Sequence, residues 1–288
     1  GRHRMTAAAP SVGVPLPPRP GRMARLGRSL RWYFPAVAVF VGVIVAWELA
    51  VSATGVRAFI LPAPSAIGAA LVDNWGAGRW PLFEAARTTL FEAVGGLVIG
   101  TLVGLTVAFV VGRWAYARDA VLPFAVAANA IPIIAIAPVF NAWFGVTNPL
   151  SKMMIAALLV FFPVMINVTR GLTQVEPSAL ELMRSYAASE WTVLRKVRIP
   201  NALPYFLTAL KVATTLSLIG AIVGEYFGGA SNVIGRVVVQ SASALRFDVT
   251  WAAILLGAVT GIVFYLAIVA LERVLIPWHP SVRGEEHA

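Results

Sequence analysis

Residues 171–202, GLTQVEPSALELMRSYAASEWTVLRKVRIPNA, are too polar to cross a bilayer and too regularly patterned for a plain linker. Pro177 suits the first turn of a helix, where its missing N–H breaks no hydrogen bond. No helix breaker follows until residue 187, and Leu180, Met183 and Ala187 recur at helical spacing, which gives the segment one apolar face. Ala187-Ala188 is a small-residue pair, and Ser189 is a suitable N-cap for a second helix over 190–198, which Pro200 is expected to stop. The pattern predicts helix, tight turn, helix. Such a hairpin serves either as an amphipathic connector lying in lipid headgroups or as an element that meets another protein.

The chain on either side of this segment is apolar. Of 288 residues, 59% are hydrophobic and 12% charged, and the mean hydropathy is +0.79. Soluble domains carry about 25% charged residues, so this composition indicates a membrane protein. Six runs are long enough to span, at about 34–53, 88–112, 120–142, 150–170, 203–227 and 250–275. All are expected to be helical, since an isolated strand in lipid leaves its backbone unpaired.

Basic residues set the expected topology. With the N-terminus placed in the cytoplasm, seventeen of the 23 Lys and Arg residues fall on that side and six, Lys152 among them, on the other. Both termini and the 171–202 hairpin are then cytoplasmic. The net charge of +10 follows membrane topology here and is not a phosphate-binding face, because the basic residues sit in short segments between apolar runs. Glu48, Glu84, Glu92 and Glu225 are expected near the outer helix ends, with Glu225 bonded to the Gly228-Gly229 turn. Trp residues flank the spans as an interfacial belt.

The run Glu181 to Pro204, ELMRSYAASEWTVLRKVRIPNALP, resembles the EAA loop of bacterial ABC-importer permeases. In that family the loop opens Glu-Ala-Ala, has a glycine a few residues on, and closes with Ile/Leu-Pro and a second proline. Glu181, Ile199-Pro200 and Pro204 match. Leu182 and Met183 replace the two alanines, and Ala187 stands where the glycine is expected, a change that a negative φ at that position would tolerate. Residues 60–71 (ILPAPSAIGAAL), 131–145 (IPIIAIAPVFNAWFG) and 223–235 (VGEYFGGASNVIG) are similar to segments of the nitrate/sulfonate/taurine branch, and the wording of 131–172 is nearest to permeases for pyrimidine precursors.

The resemblance, which covers about residues 35–277, implies an all-α, six-helix type I importer transmembrane domain, set at residues 34–277; the Pro-, Gly-, Ala- and Arg-rich residues 1–33 read by composition as a disordered basic cytoplasmic tail, and 278–288 as a second cytoplasmic tail. It implies a bacterial cytoplasmic-membrane location, a permease homodimer, two cytoplasmic ATPase subunits that bind the ATP, and an extracytoplasmic substrate-binding protein. The chain would bind no cofactor and catalyse no reaction. Glu181, Leu182, Met183, Arg184, Ala187 and Ala188 would form the coupling helix that docks on the ATPase. The solute would be a sulfonate, nitrate, taurine or a heterocycle.

Candidate pathway residues are Asn129, Pro132, Pro138 and Asn141, on the reasoning that prolines kink the third span and free carbonyls toward a path. The same asparagines, and Asn167, can equally join helices by hydrogen bonds. Gly96, Gly100 and Gly104 form a small-residue stripe for close helix contact. There is no cysteine, the three histidines are terminal, and no Gly-x-x-x-x-Gly-Lys-Ser/Thr run occurs. An ion-coupled secondary transporter is the alternative, and it would need ionisable groups at membrane depth.

Overall fold

The computed structural model describes residues 22–57, 59–76, 78–114, 120, 123–125, 127, 132 and 135–275, with side chains from residue 34. The chain divides into two units, residues 1–54 and 55–288. The first contains α1, Arg22–Thr54. Its apolar stretch, Phe34–Thr54, is 21 residues long with side chains exposed on most sides, as a helix surrounded by lipid requires. The helix begins at Arg22, inside the segment expected to be a disordered tail: beyond Pro20 nothing in RMARLGRSLRWY breaks a helix.

The second unit contains α2 (Pro64–Asp73), α3 (Leu82–Arg113), α4 (Ala137–Phe144), α5 (Pro149–Thr173), α6 (Pro177–Ser185), α7 (Glu190–Val193), α8 (Ile199–Tyr226), α9 (Ile234–Ser243) and α10 (Phe247–Leu275). Among the described residues, five helices are long and apolar enough to cross a membrane.

Glycine decides how the central helices approach. A Cβ on Gly96 would stand 2.3 Å from the Ala156 Cβ, one on Gly100 2.7 Å from the Val160 Cβ, and one on Gly104 3.1 Å from the Val164 Cβ. The stripe therefore packs on α5 within the same chain. Its numbering rises together on both helices, so α3 and α5 run parallel. By the same contacts α8 is antiparallel to α5, with Gly171 against Ala202 and Gly220 against Ala156. The core between α3, α5 and α8 is filled by Val160, Val164, Met165, Val168, Leu172, Leu207 and Leu210. Because α3 and α5 are parallel, Arg113 and Pro149 lie at opposite ends of the bundle, and the chain between them must return from one end to the other.

That return holds the expected third span, 120–142, of which residues 121–122, 126, 128–131 and 133–134 lie outside the described residues. Its described part is not one helix. Pro132 is in non-helical backbone, a turn follows at Ala135–Ile136, and α4 opens at Ala137. Pro138 falls in the first turn of α4, where no intrahelical bond is asked of its nitrogen, so it starts a helix and kinks none.

Pro200 likewise does not stop a helix. The residues from Glu190 run through a π-turn at Leu194–Arg198 directly into α8, giving one 37-residue rod, Glu190–Tyr226. Pro200 sits in the first turn of α8. The i→i+5 register of the π-turn accommodates a residue that cannot donate.

Candidate functional site

Two constructions lie at opposite ends of the α8 rod. The first is the hairpin of α6 and α7. Its base is fixed by Asn201, whose Nδ2 donates to the carbonyls of Gly171 at 2.7 Å and Gln174 at 3.1 Å. These acceptors belong to the last turn of α5 and the residue after it, which have no helical partners of their own. At the same place a Cβ on Gly171 would meet the Ala202 Cα at 2.7 Å, so α5 and α8 touch backbone to backbone.

The turn between α6 and α7 is a Schellman motif. The Ala188 N–H bonds the Met183 carbonyl at 3.0 Å and the Ala187 N–H bonds that of Arg184 at 2.9 Å. Ala187 occupies the left-handed position with φ 47°, so the negative φ anticipated for an alanine here is not what the turn adopts. Glycine is the unstrained residue at that position. Ser189 does cap the following helix, accepting from Thr192 N at 3.3 Å.

Of the predicted docking residues, Glu181, Leu182, Arg184 and Ala187 are exposed, and Met183 and Ala188 are half-buried. Tyr186 and Trp191 were not singled out in the sequence. They are 75% and 67% exposed, and Leu182, one helical turn before Tyr186, is 56% exposed. Trp191 lines a cleft of about 300 Å³ with Phe109, Leu172 and Leu194 among others.

The second construction is a group of buried charges near the other end of the rod. Lys152, Glu92 and Glu225 are 0%, 2% and 0% exposed. The sequence reading put Glu92 and Glu225 near outer helix ends and Lys152 on the outer side. In the fold they come from α5, α3 and α8 and meet inside the bundle, because the glycine stripe draws these helices close and leaves the groups no path to water. The Lys152 ammonium donates to Asn141 Oδ1 at 3.2 Å, to Ser151 Oγ at 2.9 Å and to the Val146 carbonyl. Glu92, Glu225 and Arg236 are its charged neighbours.

The main-chain carbonyl of Glu225 accepts from Gly228 N at 3.2 Å, so the residue does bond the Gly228-Gly229 turn, but its side chain turns elsewhere. Its Oε2 accepts from Gly235 N at 2.6 Å, and Thr89 Oγ1 accepts from Ile234 N at 3.0 Å. Together these side chains cap the N-terminus of α9, where a carboxylate is favoured by the free N–H groups and the helix dipole. Glu92 Oε2, Glu225 Oε1 and Asn141 Nδ2 are buried without a hydrogen-bond partner.

Asn141, a predicted pathway residue, is thus turned inward onto Lys152 and is buried among the described residues. Pro132 and Pro138 are exposed, and Asn129 lies outside the described residues. Asn167 bonds the Pro163 carbonyl of its own helix at 2.8 Å. Among the described residues no group of His, Cys, Asp and Glu side chains could hold a metal ion.

The comparisons agree with this architecture. Residues 96–278 match the family described as binding-protein-dependent transport system inner membrane component. The formylaminopyrimidine transport permease protein of Halalkalibacterium halodurans is 30% identical over 83% of this chain and 93% of its own length. The aliphatic sulfonates transport permease protein of Bacillus subtilis, an assignment given there as provisional, is 27% identical over 92% and 93%. The crystal structure of an amino acid ABC transporter with histidines superposes with a TM-score of 0.55, at 19% identity, over 67% of this chain and 94% of that one, and supports the fold. These matches set aside the ion-coupled carrier. The chain belongs to the family of binding-protein-dependent transport permeases, integral membrane subunits that move small solutes while separate subunits hydrolyse ATP.

Proposed function

We propose that this permease works as a homodimer in the bacterial cytoplasmic membrane with both termini in the cytoplasm, and that the α6–α7 hairpin is its coupling element. Glu181, Leu182, Met183, Arg184, Ala187 and Ala188 dock in a groove of the ATPase subunit, with Tyr186 and Trp191 added to that surface. One observation carries this reading. Leu182, Tyr186 and Trp191 are large and exposed on one hairpin, the first two outside the long apolar segments and Trp191 at the start of the rod, while the hairpin's base is bonded through Asn201. Apolar side chains grouped on such a surface mark a protein contact, and a short helix laid in a groove is the mode they suit.

Closure of the ATPases would move the hairpin, and the continuous 37-residue rod would carry that movement along its length. The path lies along the segment that includes Asn129, Pro132 and Pro138, with Asn141 as its internal anchor. The cargo is a small polar organic solute handed over by a binding protein. The relatives named for pyrimidine and sulfonate transport support the heterocycle and sulfonate classes.

The test is a mild-detergent pull-down of the tagged chain from native membranes, with Ala187→Asp alongside and partners identified by mass spectrometry. An ATPase recovered with the parent chain and depleted with the variant is the expected result. Equal recovery with both removes the hairpin assignment.

A further inference from the structure

The charges around Lys152 are far from the docking hairpin and take no part in it. Lys152 lies in the first turn of α5 and Glu225 is the penultimate residue of α8, whereas the hairpin adjoins the opposite ends of both helices. A rod of 37 residues is about 55 Å long. Ionisable side chains buried among membrane helices are costly and are retained where they do something specific.

The connections of Lys152 are one-sided in an informative way. Two of its three acceptors, Asn141 Oδ1 and the Val146 carbonyl, belong to α4 and the turn after it; the third, Ser151 Oγ, belongs to α5. Its stem lies on α8: a Cβ on Gly224 would come within 3.2 Å of the Lys152 Cγ, and one on Gly229 within 3.7 Å of its Cε. The same turn is gripped from the α8 side by Gly228, where a Cβ would stand 2.4 Å from the Val146 Cγ1. Gly228 has φ 150°, a value that side chains rarely adopt. The turn itself is built for a sharp reversal, with Gly145 at φ 96° and Asn148 capping α5 through Leu150 N at 3.0 Å. Lys152 is therefore bonded to the turn and packed against the end of the rod. Glu92 and Glu225 are its acidic neighbours.

We propose that Lys152 is a positioning residue that links the far end of the α8 rod to α4 and the Gly145–Asn148 turn, so that nucleotide-driven movement at the docking hairpin re-seats this turn. The proposal rests on the docking reading above. A charged donor suits the task because one ammonium satisfies acceptors on α4, the turn after it and α5 while its stem packs on α8, and no neutral side chain of similar reach offers three donors. Three directed bonds from one buried ammonium favour one seat of the turn over others.

The chain has no native cysteine, so a single reporter thiol is clean. Thr147→Cys, exposed in the turn, is introduced alone and together with Lys152→Met, each expressed with its ATPase partner. ATPase recovery and basal hydrolysis test the docking reading and are expected to be equal in the two chains. The rate at which a polar maleimide labels the introduced thiol, with and without vanadate-trapped nucleotide, tests the link. With Lys152 present, trapping is expected to change that rate about fivefold or more, and with Lys152→Met by less than about twofold. Asn141→Ala, which cuts one of the two bonds to α4 and its turn, replaces Lys152→Met if that chain does not accumulate, and is expected to reduce the response. A full nucleotide response in these variants, or none in the chain that retains Lys152, overturns the link while leaving docking intact. Failure to recover any ATPase with the chain that retains Lys152 overturns the docking reading first, and the link with it.

Discussion

The Glu225 carboxylate accepts the Gly235 N–H at 2.6 Å, and the contact is possible only because residue 235 has no side chain. A Cβ there would stand 2.6 Å from the Glu225 Cβ and 2.7 Å from the Ile222 carbonyl. Both neighbours are helix atoms with no freedom to retreat. Gly235→Ala must therefore push α9 away from α8 and break the cap. The expected loss is about 1–3 kcal/mol, the range for overpacking a tight contact. Thermal unfolding of the detergent-solubilised chain checks it, and an unchanged midpoint would show that α9 is not held as described.

Ala187 separates folding from docking. An alanine held at φ 47° is disfavoured by about 1 kcal/mol against glycine. Ala187→Gly should raise stability by about that amount and leave ATPase recovery unchanged. Aspartate visits the left-handed region more readily than most residues, so Ala187→Asp should fold at least as well as the parent. Its loss of ATPase recovery then reports the charge placed at the docking surface. Parallel unfolding and pull-down measurements on both variants check the pair. A strongly destabilised Ala187→Asp would remove that interpretation.

The elements legible in the sequence were those written in local signals. Pro177, Ser189 and the apolar spacing of α6 foretold the hairpin, and the Gly96, Gly100, Gly104 spacing foretold a close helix contact. What stayed hidden depends on long-range neighbours. Lys152 reads as a lone cation beside Pro149, since its acceptors lie up to eleven residues back and its acidic neighbours come from α3 and α8. The one signal available was the coincidence of Glu92, Lys152 and Glu225 at the same expected membrane level, each next to small residues that permit burial. Pro200 misled for a different reason. A proline normally marks an end, and here a π-turn of five residues absorbs the missing donor.

The glycine stripe makes a sharper test of the parallel α3–α5 contact than any bulky residue does. A Cβ on Gly100 would lie 2.5 Å from the Ala157 carbonyl, which is backbone, as well as 2.7 Å from the Val160 Cβ. Gly100→Ala must therefore separate the helices, with an expected destabilisation of about 1–3 kcal/mol. Gly42, where no atom lies within 4 Å of an added Cβ, is the control: Gly42→Ala should be neutral or slightly stabilising, since it replaces glycine inside a helix. Equal unfolding midpoints for the two variants would contradict the packing.

Lys211 and Glu272 form the contact that ties α10 to α8 toward the end near the hairpin. The ammonium lies 3.0 Å from both carboxylate oxygens, and the side chains are 22% and 7% exposed. Elsewhere α10 is held by packing, with Val249, Ala252, Ala253, Leu256 and Phe264 buried, and by the Ser241–Thr250 hydroxyl contact at 2.8 Å. Removing one partner leaves a charge in apolar surroundings, so Lys211→Met and Glu272→Gln should each destabilise by about 3–5 kcal/mol. The double variant, with both charges gone, should recover most of that loss, because the desolvation of two ions disappears with their attraction. A double-mutant cycle of unfolding midpoints reads the coupling directly. Additive single losses would mean that the two groups are solvated independently and that α10 is held by packing alone.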